Sequence, residues 1–151
     1  MALDMSYKGK EIGTYTFQVD RSKIRELAAA VGDPNPVFTD TEAARKEGYR
    51  DCPAPLTFAT VMTFGGYPQI WDRMTAMGID IKRLLHAREE YEYLKTIHPG
   101  DILTGTIVVE ALRGGAMEMD TFKTTYTREG EPVLIASMTI IVPPAAKGGN
   151  P

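Results

Sequence analysis

Along the first third of the chain the apolar and polar positions change period twice. Tyr15, Phe17 and Val19 alternate with Thr14, Thr16 and Gln18, the period of two of a strand with one buried face, which predicts a strand over 13–19. Ile24, Leu27, Ala28 and Val31 then recur at i, i+3, i+4 and i+7, the stripe of an amphipathic helix, with Asp20 or Ser22 as N-cap and Gly32 as its stop. Asp33-Pro34-Asn35-Pro36 forces a rigid loop, because each proline fixes its own φ and disfavours helix in the residue before it. A short second helix runs from Asp40 or Thr41 to Glu47, with Gly48 placed to end it.

The middle of the chain is apolar for longer. Pro55-Leu56-Thr57-Phe58 opens a stretch that continues through Ala59, Val61, Met62 and Phe64 with almost no charge, the pattern of a helix buried on most sides. Pro55 suits its first turn, where a missing N–H has no intrahelical partner to lose. Gly65-Gly66 and Pro68 end or kink it, and Ile70, Trp71, Met74 and Met77 form another helical piece that stops at Gly78. From Glu89 onward the signals are strands: Tyr91 to Ile97, a His98-Pro99-Gly100-Asp101 turn, then β-branched residues from Ile102 to Leu112. Gly114-Gly115 turns the chain into a strand over 116–127, and Arg128 to Pro132 closes a hairpin onto 133–142. Met74, Met77, Met117 and Met119 read as packing residues, and residues 143–151 lack periodicity, as a flexible tail does.

One strand, helices, a long apolar helix and then a meander of about four strands predict a single α+β domain over 1–142. A curved antiparallel sheet wrapped around a long central helix, the hot-dog fold, explains why that helix is apolar on most faces. Strand signals throughout would have meant a sandwich, and alternating strands and helices a doubly wound sheet.

The net charge of −3 offers no basic face to nucleic acid or to an anionic membrane. Cys52 has no second cysteine to pair with, and Met1 to Lys10 lacks an apolar signal-peptide core, so a cytoplasmic protein is expected. No apolar stretch approaches the roughly 20 residues that span a bilayer. The two histidines, His86 and His98, are too far apart in sequence for a metal-ligand motif, and no cofactor is implied.

Three segments together resemble the MaoC-like dehydratase superfamily, in particular the N-terminal dehydratase domain of fungal-type fatty-acid synthases and its free-standing subunits. They are Val31-Gly32-Asp33-Pro34-Asn35-Pro36-Val37-Phe38, Ala54-Pro55-Leu56-Thr57-Phe58, and Leu85-His86-Ala87-Arg88-Glu89-Glu90-Tyr91-Glu92-Tyr93 running into His98-Pro99-Gly100-Asp101. The resemblance implies an acyl-CoA or acyl-carrier-protein ligand and reversible hydration of a trans-2-enoyl thioester. It also implies an acid–base pair, the Asp of Gly-Asp-x-Asn-Pro and a histidine one residue beyond that proline's neighbour. Here Gly32, Asp33, Asn35 and Pro36 match, and Phe38 stands where the histidine belongs. Phenylalanine carries no proton, and one positioned acid–base group contributes about 10²–10⁴-fold to rate. The family also polarises the thioester carbonyl with an N–H at the start of the central helix; Pro55 has none to give, whereas Leu56 and Thr57 do.

The expected role is therefore a subunit of an (R)-specific enoyl-CoA hydratase or 3-hydroxyacyl-thioester dehydratase that shapes the acyl channel for a catalytic MaoC-like partner. Asp33 is the remnant of the pair or the brace of its turn, and His86 is a replacement acid or a surface histidine. Asn35, Phe38, Leu56, Thr57, Phe58 and Met62 are the expected substrate contacts. The rival readings are a homodimeric acyl-CoA binding protein without chemistry and a hot-dog thioesterase. The latter needs a carboxylate on or near the central helix, and residues 56–71 contain none.

Overall fold

The computed structural model describes residues 2–144; most of the expected tail lies outside the described residues. Five strands form one antiparallel sheet in the order β1-β3-β4-β5-β2: β1 (Glu11–Gln18), β2 (Leu85–Tyr93), β3 (Ile102–Arg113), β4 (Glu118–Arg128) and β5 (Glu131–Val142). Between β1 and β2 lie four helices, α1 (Arg21–Ala30), α2 (Thr41–Lys46), α3 (Phe58–Gly66) and α4 (Ile70–Ala76). This is the hot-dog fold, with α3 in the hollow of the sheet.

The local signals act as the residues dictate. Asp20 caps α1 by accepting from Ser22 N at 2.7 Å, and α1 buries Ile24 and Ala28. Asp40 caps α2 by accepting from Glu42 N and Ala43 N, while Glu42 in the first turn and Arg45 and Lys46 in the last complement its dipole. Gly48, at φ +89°, ends it in a conformation that disfavours a side chain. In β3, β4 and β5 alternate residues are buried, so Leu103, Ile107, Val109, Phe122, Tyr126, Leu134, Ala136, Met138 and Ile140 face α3 in one core.

Four expectations are corrected. The central helix starts at Phe58, not Pro55, and spans nine residues, about 13 Å. Pro55 instead closes the turn before it, its carbonyl accepting from Phe58 N at 2.9 Å. The second strand begins at Leu85 rather than Glu89, because its outward residues are charged and only Glu89, Tyr91 and Tyr93 turn inward. Met117 is 53% exposed and lies outside the core. The first strand covers Glu11–Gln18, shifted slightly from 13–19. None of the helices among the described residues is long and apolar enough to cross a membrane.

Candidate acyl-binding cavity

The Gly-Asp-Pro-Asn-Pro loop folds through its own side chains. Asp33 Oδ1 accepts from Asn35 N at 3.0 Å, and Asn35 Oδ1 accepts from Val37 N at 3.1 Å, which caps a 3₁₀ turn over Pro36–Phe38. That turn buries Val37 and aims Phe38, half-buried, against the core. Asp33 itself is exposed and braces the loop.

Beyond Phe38 opens a cavity of about 390 Å³, whose wall includes Asn35, Phe38, Tyr49, Leu56, Tyr93 and Ile97. Its size falls in the range of small-molecule sites, and its lining is mostly apolar. Two strands of chain hold the wall together: Tyr93 Oη donates to Leu56 O, and Ala54 N donates to Ile97 O at 2.8 Å. Leu56 is 71% exposed at the rim. Among the described residues neither Leu56, on the cavity rim, nor Thr57, the next residue in the chain, donates its N–H to a hydrogen bond. Thr57 is the N-cap of α3, but its hydroxyl makes no capping bond.

Behind the cavity lies a charged cluster that the pattern along the chain did not reveal. Asp101 is 6% exposed; its carboxylate meets Arg50 Nη2 at 2.7 Å and Arg128 Nη1 at 2.6 Å and accepts from His98 N at 2.9 Å. Arg50 Nε donates to His98 Nδ1 at 3.2 Å, which places the imidazole proton on Nε2. Burial and then the Arg50 charge hold His98 below its ordinary pKa, so it is a neutral structural group. No local signal marks this cluster, because Arg50 and Asp101 stand 51 residues apart and only folding brings them together.

The expected site residues divide into three. Asn35, Phe38 and Leu56 line the cavity, whereas Asp33, which braces the loop, and Thr57, the N-cap of α3, do not. The structure places Phe58 and Met62 elsewhere, in the core beneath α3 at 1% and 0% exposure. His86 sits exposed at the far end of β2, roughly 20 Å along the strand from Tyr93, with Nε2 2.7 Å from Glu89 Oε1. Tyr49, Tyr93 and Ile97 were missed as wall residues because they come from segments distant in sequence.

The model of the FAS1-like dehydratase domain region matches residues 6–136. The chain belongs to the FAS1-like dehydratase domain family. Among sequence relatives of this dehydratase-domain chain, a UPF0336 protein of Streptomyces avermitilis is 37% identical over 98% of this chain and 100% of its own length. Another from Saccharopolyspora erythraea is 35% identical over 93% of this chain and 92% of its own. Among solved structures, the C-terminally truncated HadBC (3R-hydroxyacyl-ACP dehydratase) complex from Mycobacterium tuberculosis superposes with a TM-score of 0.78 at 25% identity, covering 91% of this chain and 99% of that one. A MaoC-like dehydratase superposes at 0.77 with 26% identity, over 92% of this chain and 42% of the other. Both of these solved structures are named as dehydratases.

Proposed function

We propose that this FAS1-like dehydratase domain is the substrate-holding subunit of an (R)-specific enoyl-thioester hydratase or 3-hydroxyacyl-thioester dehydratase, and that a second MaoC-like chain supplies the complete acid–base pair. The observation that carries the reading is Phe38: an aromatic ring on the wall of the 390 Å³ cavity, beside Asn35, at the position where a self-sufficient member needs an imidazole. The remaining carboxylate, Asp33, is engaged in bracing its loop. Apolar surface removed from water contributes about 25 cal/mol per Å², so Phe38, Leu56, Tyr93 and Ile97 favour an acyl tail. The free N–H groups of Leu56 and Thr57 suit the thioester oxygen. The similarity to the HadBC complex supports assembly with a hot-dog partner.

The test is hydration of crotonyl-CoA, followed by loss of the enoyl absorbance. The chain alone is expected to turn over at least 10²-fold more slowly than its complex with a MaoC-like chain carrying both Asp and His. Full activity from the single chain rejects the reading. Tight acyl-CoA binding by a homodimer that recruits no such partner replaces it with a binding module.

A further inference from the structure

Tyr93 stands where β2 leaves the sheet. Leu94 N and Lys95 N both donate to Val133 O, at 3.0 and 3.1 Å, so the chain bends away from β5 directly after Tyr93 and residues 94–97 become cavity wall instead of strand. The last inward side chain of the strand therefore sits at the boundary between cavity and core. Its phenol reaches across to Leu56 O and ties the end of β2 to the segment that leads into α3. Burial first, and then neighbouring Tyr91, raise its pKa, so it stays protonated and keeps donating. One step back along the same face Tyr91 makes a second tie, its hydroxyl 3.2 Å from Thr60 Oγ1 of α3, with the two rings 6.3 Å apart. The wall of the cavity ends at this double tie: Tyr93 lines it, whereas Tyr91 and the residues of α3 do not. At about 390 Å³ the cavity stands near the lower end of small-molecule sites.

We infer that Tyr93 is the residue that limits acyl length: clamped to Leu56, its ring walls the cavity off from the space between β2 and α3. The inference rests on the reading of this cavity as the acyl site, and adds that the tails it holds are short to medium. Methylenes that fit inside leave water, and each tightens binding about fourfold. Those that find no room remain hydrated and add nothing. A smaller side chain at position 93 gives up the volume of the ring to the cavity, so the limit moves to longer tails. A tyrosine that served only to brace β2 against α3 would, when replaced, change the affinity for every tail alike and leave the limit where it is.

The experiment is calorimetric titration of the purified full-length chain with saturated acyl-CoAs from butanoyl to tetradecanoyl, with its hydration of crotonyl-CoA assayed in parallel. Affinity should rise about fourfold per added CH₂ and then level off within the series. Tyr93→Val, whose branched side chain suits a strand, should keep the circular dichroism spectrum. Relative to butanoyl-CoA, it should bind the first acyl-CoA beyond the original limit at least about fourfold more tightly, one methylene's worth. Tyr93→Phe, which keeps the ring and loses only the clamp, should move the limit in the same direction by less. A limit that neither variant moves, or an affinity that climbs to tetradecanoyl-CoA without levelling in the unaltered chain, overturns the inference. Failure to bind an acyl-CoA of any length overturns it together with the proposed function. Hydration that needs no partner overturns only the proposed function, so the failures are distinguishable.

Discussion

At the scale of single residues, the proposed function turns on which side chains can carry a proton. Phe38→His places an imidazole on the cavity wall beside Asn35. Hydration of crotonyl-CoA by the chain alone is expected to rise at least 10-fold, read as loss of enoyl absorbance. Asp101→Asn removes the charge between Arg50 and Arg128. Arg50 is mostly exposed and regains water, whereas Arg128 is three-quarters covered, so the expected loss is about 2–3 kcal/mol in urea unfolding, below the cost of breaking a fully buried pair. Asp120 is 0% exposed and its Oδ2 has no partner. Burial, opposed by a long bond from Arg113 N and aided by Glu118, pushes its carboxyl up from 3.8 to about 6. The unfolded chain therefore releases this proton first. Stability is fully present below about 4, falls as pH rises through about 6, and is level beyond. Asp120→Asn should remove that slope and raise stability at pH 8 by about 2–3 kcal/mol, measured by urea titration across pH.

At the scale of elements, the seat of α3 is made by small residues that let aromatic rings pass. A Cβ on Gly66 would stand 2.8 Å from the Tyr15 ring and 2.9 Å from Phe17, while one on Gly65 would meet nothing within 4 Å. On the sheet side, a Cβ on Gly105 would come 2.8 Å from the same Tyr15 ring. Tyr15 thus threads between helix and sheet, and its hydroxyl meets Tyr126 Oη at 2.8 Å, which in turn meets Thr63 of α3. Gly66→Ala should lower stability by about 1–3 kcal/mol through overpacking, and Gly65→Ala should raise it by up to about 1 kcal/mol through helix propensity. Thermal unfolding of the two neighbouring variants gives opposite signs if the ring contact decides the outcome.

At the scale of the whole molecule, one core joins the helical layer to the sheet, since α3, α4 and all of β1, β3, β4 and β5 contribute buried residues to it. Unfolding followed by the fluorescence of Trp71, which stacks on Phe64 at 5.0 Å in the helical layer, should coincide with unfolding followed by the sheet's circular dichroism. Separated transitions would mean that the helices detach first. The alternation in β3 to β5, the capping aspartates and the turn glycines act over a few residues. For that reason the sequence by itself determined the elements, their approximate bounds and the hot-dog class. Three features came from folding alone. The cavity wall joins Phe38 to Tyr93 and Ile97, the buried Asp101 gathers arginines from residues 50 and 128, and Glu89 meets Thr60 and Thr63 across the fold. None of these has a periodic signature, because a contact between segments far apart in sequence depends on strand register and sheet curvature. Those are fixed by the packing of the whole core and are not written in any one stretch of the chain.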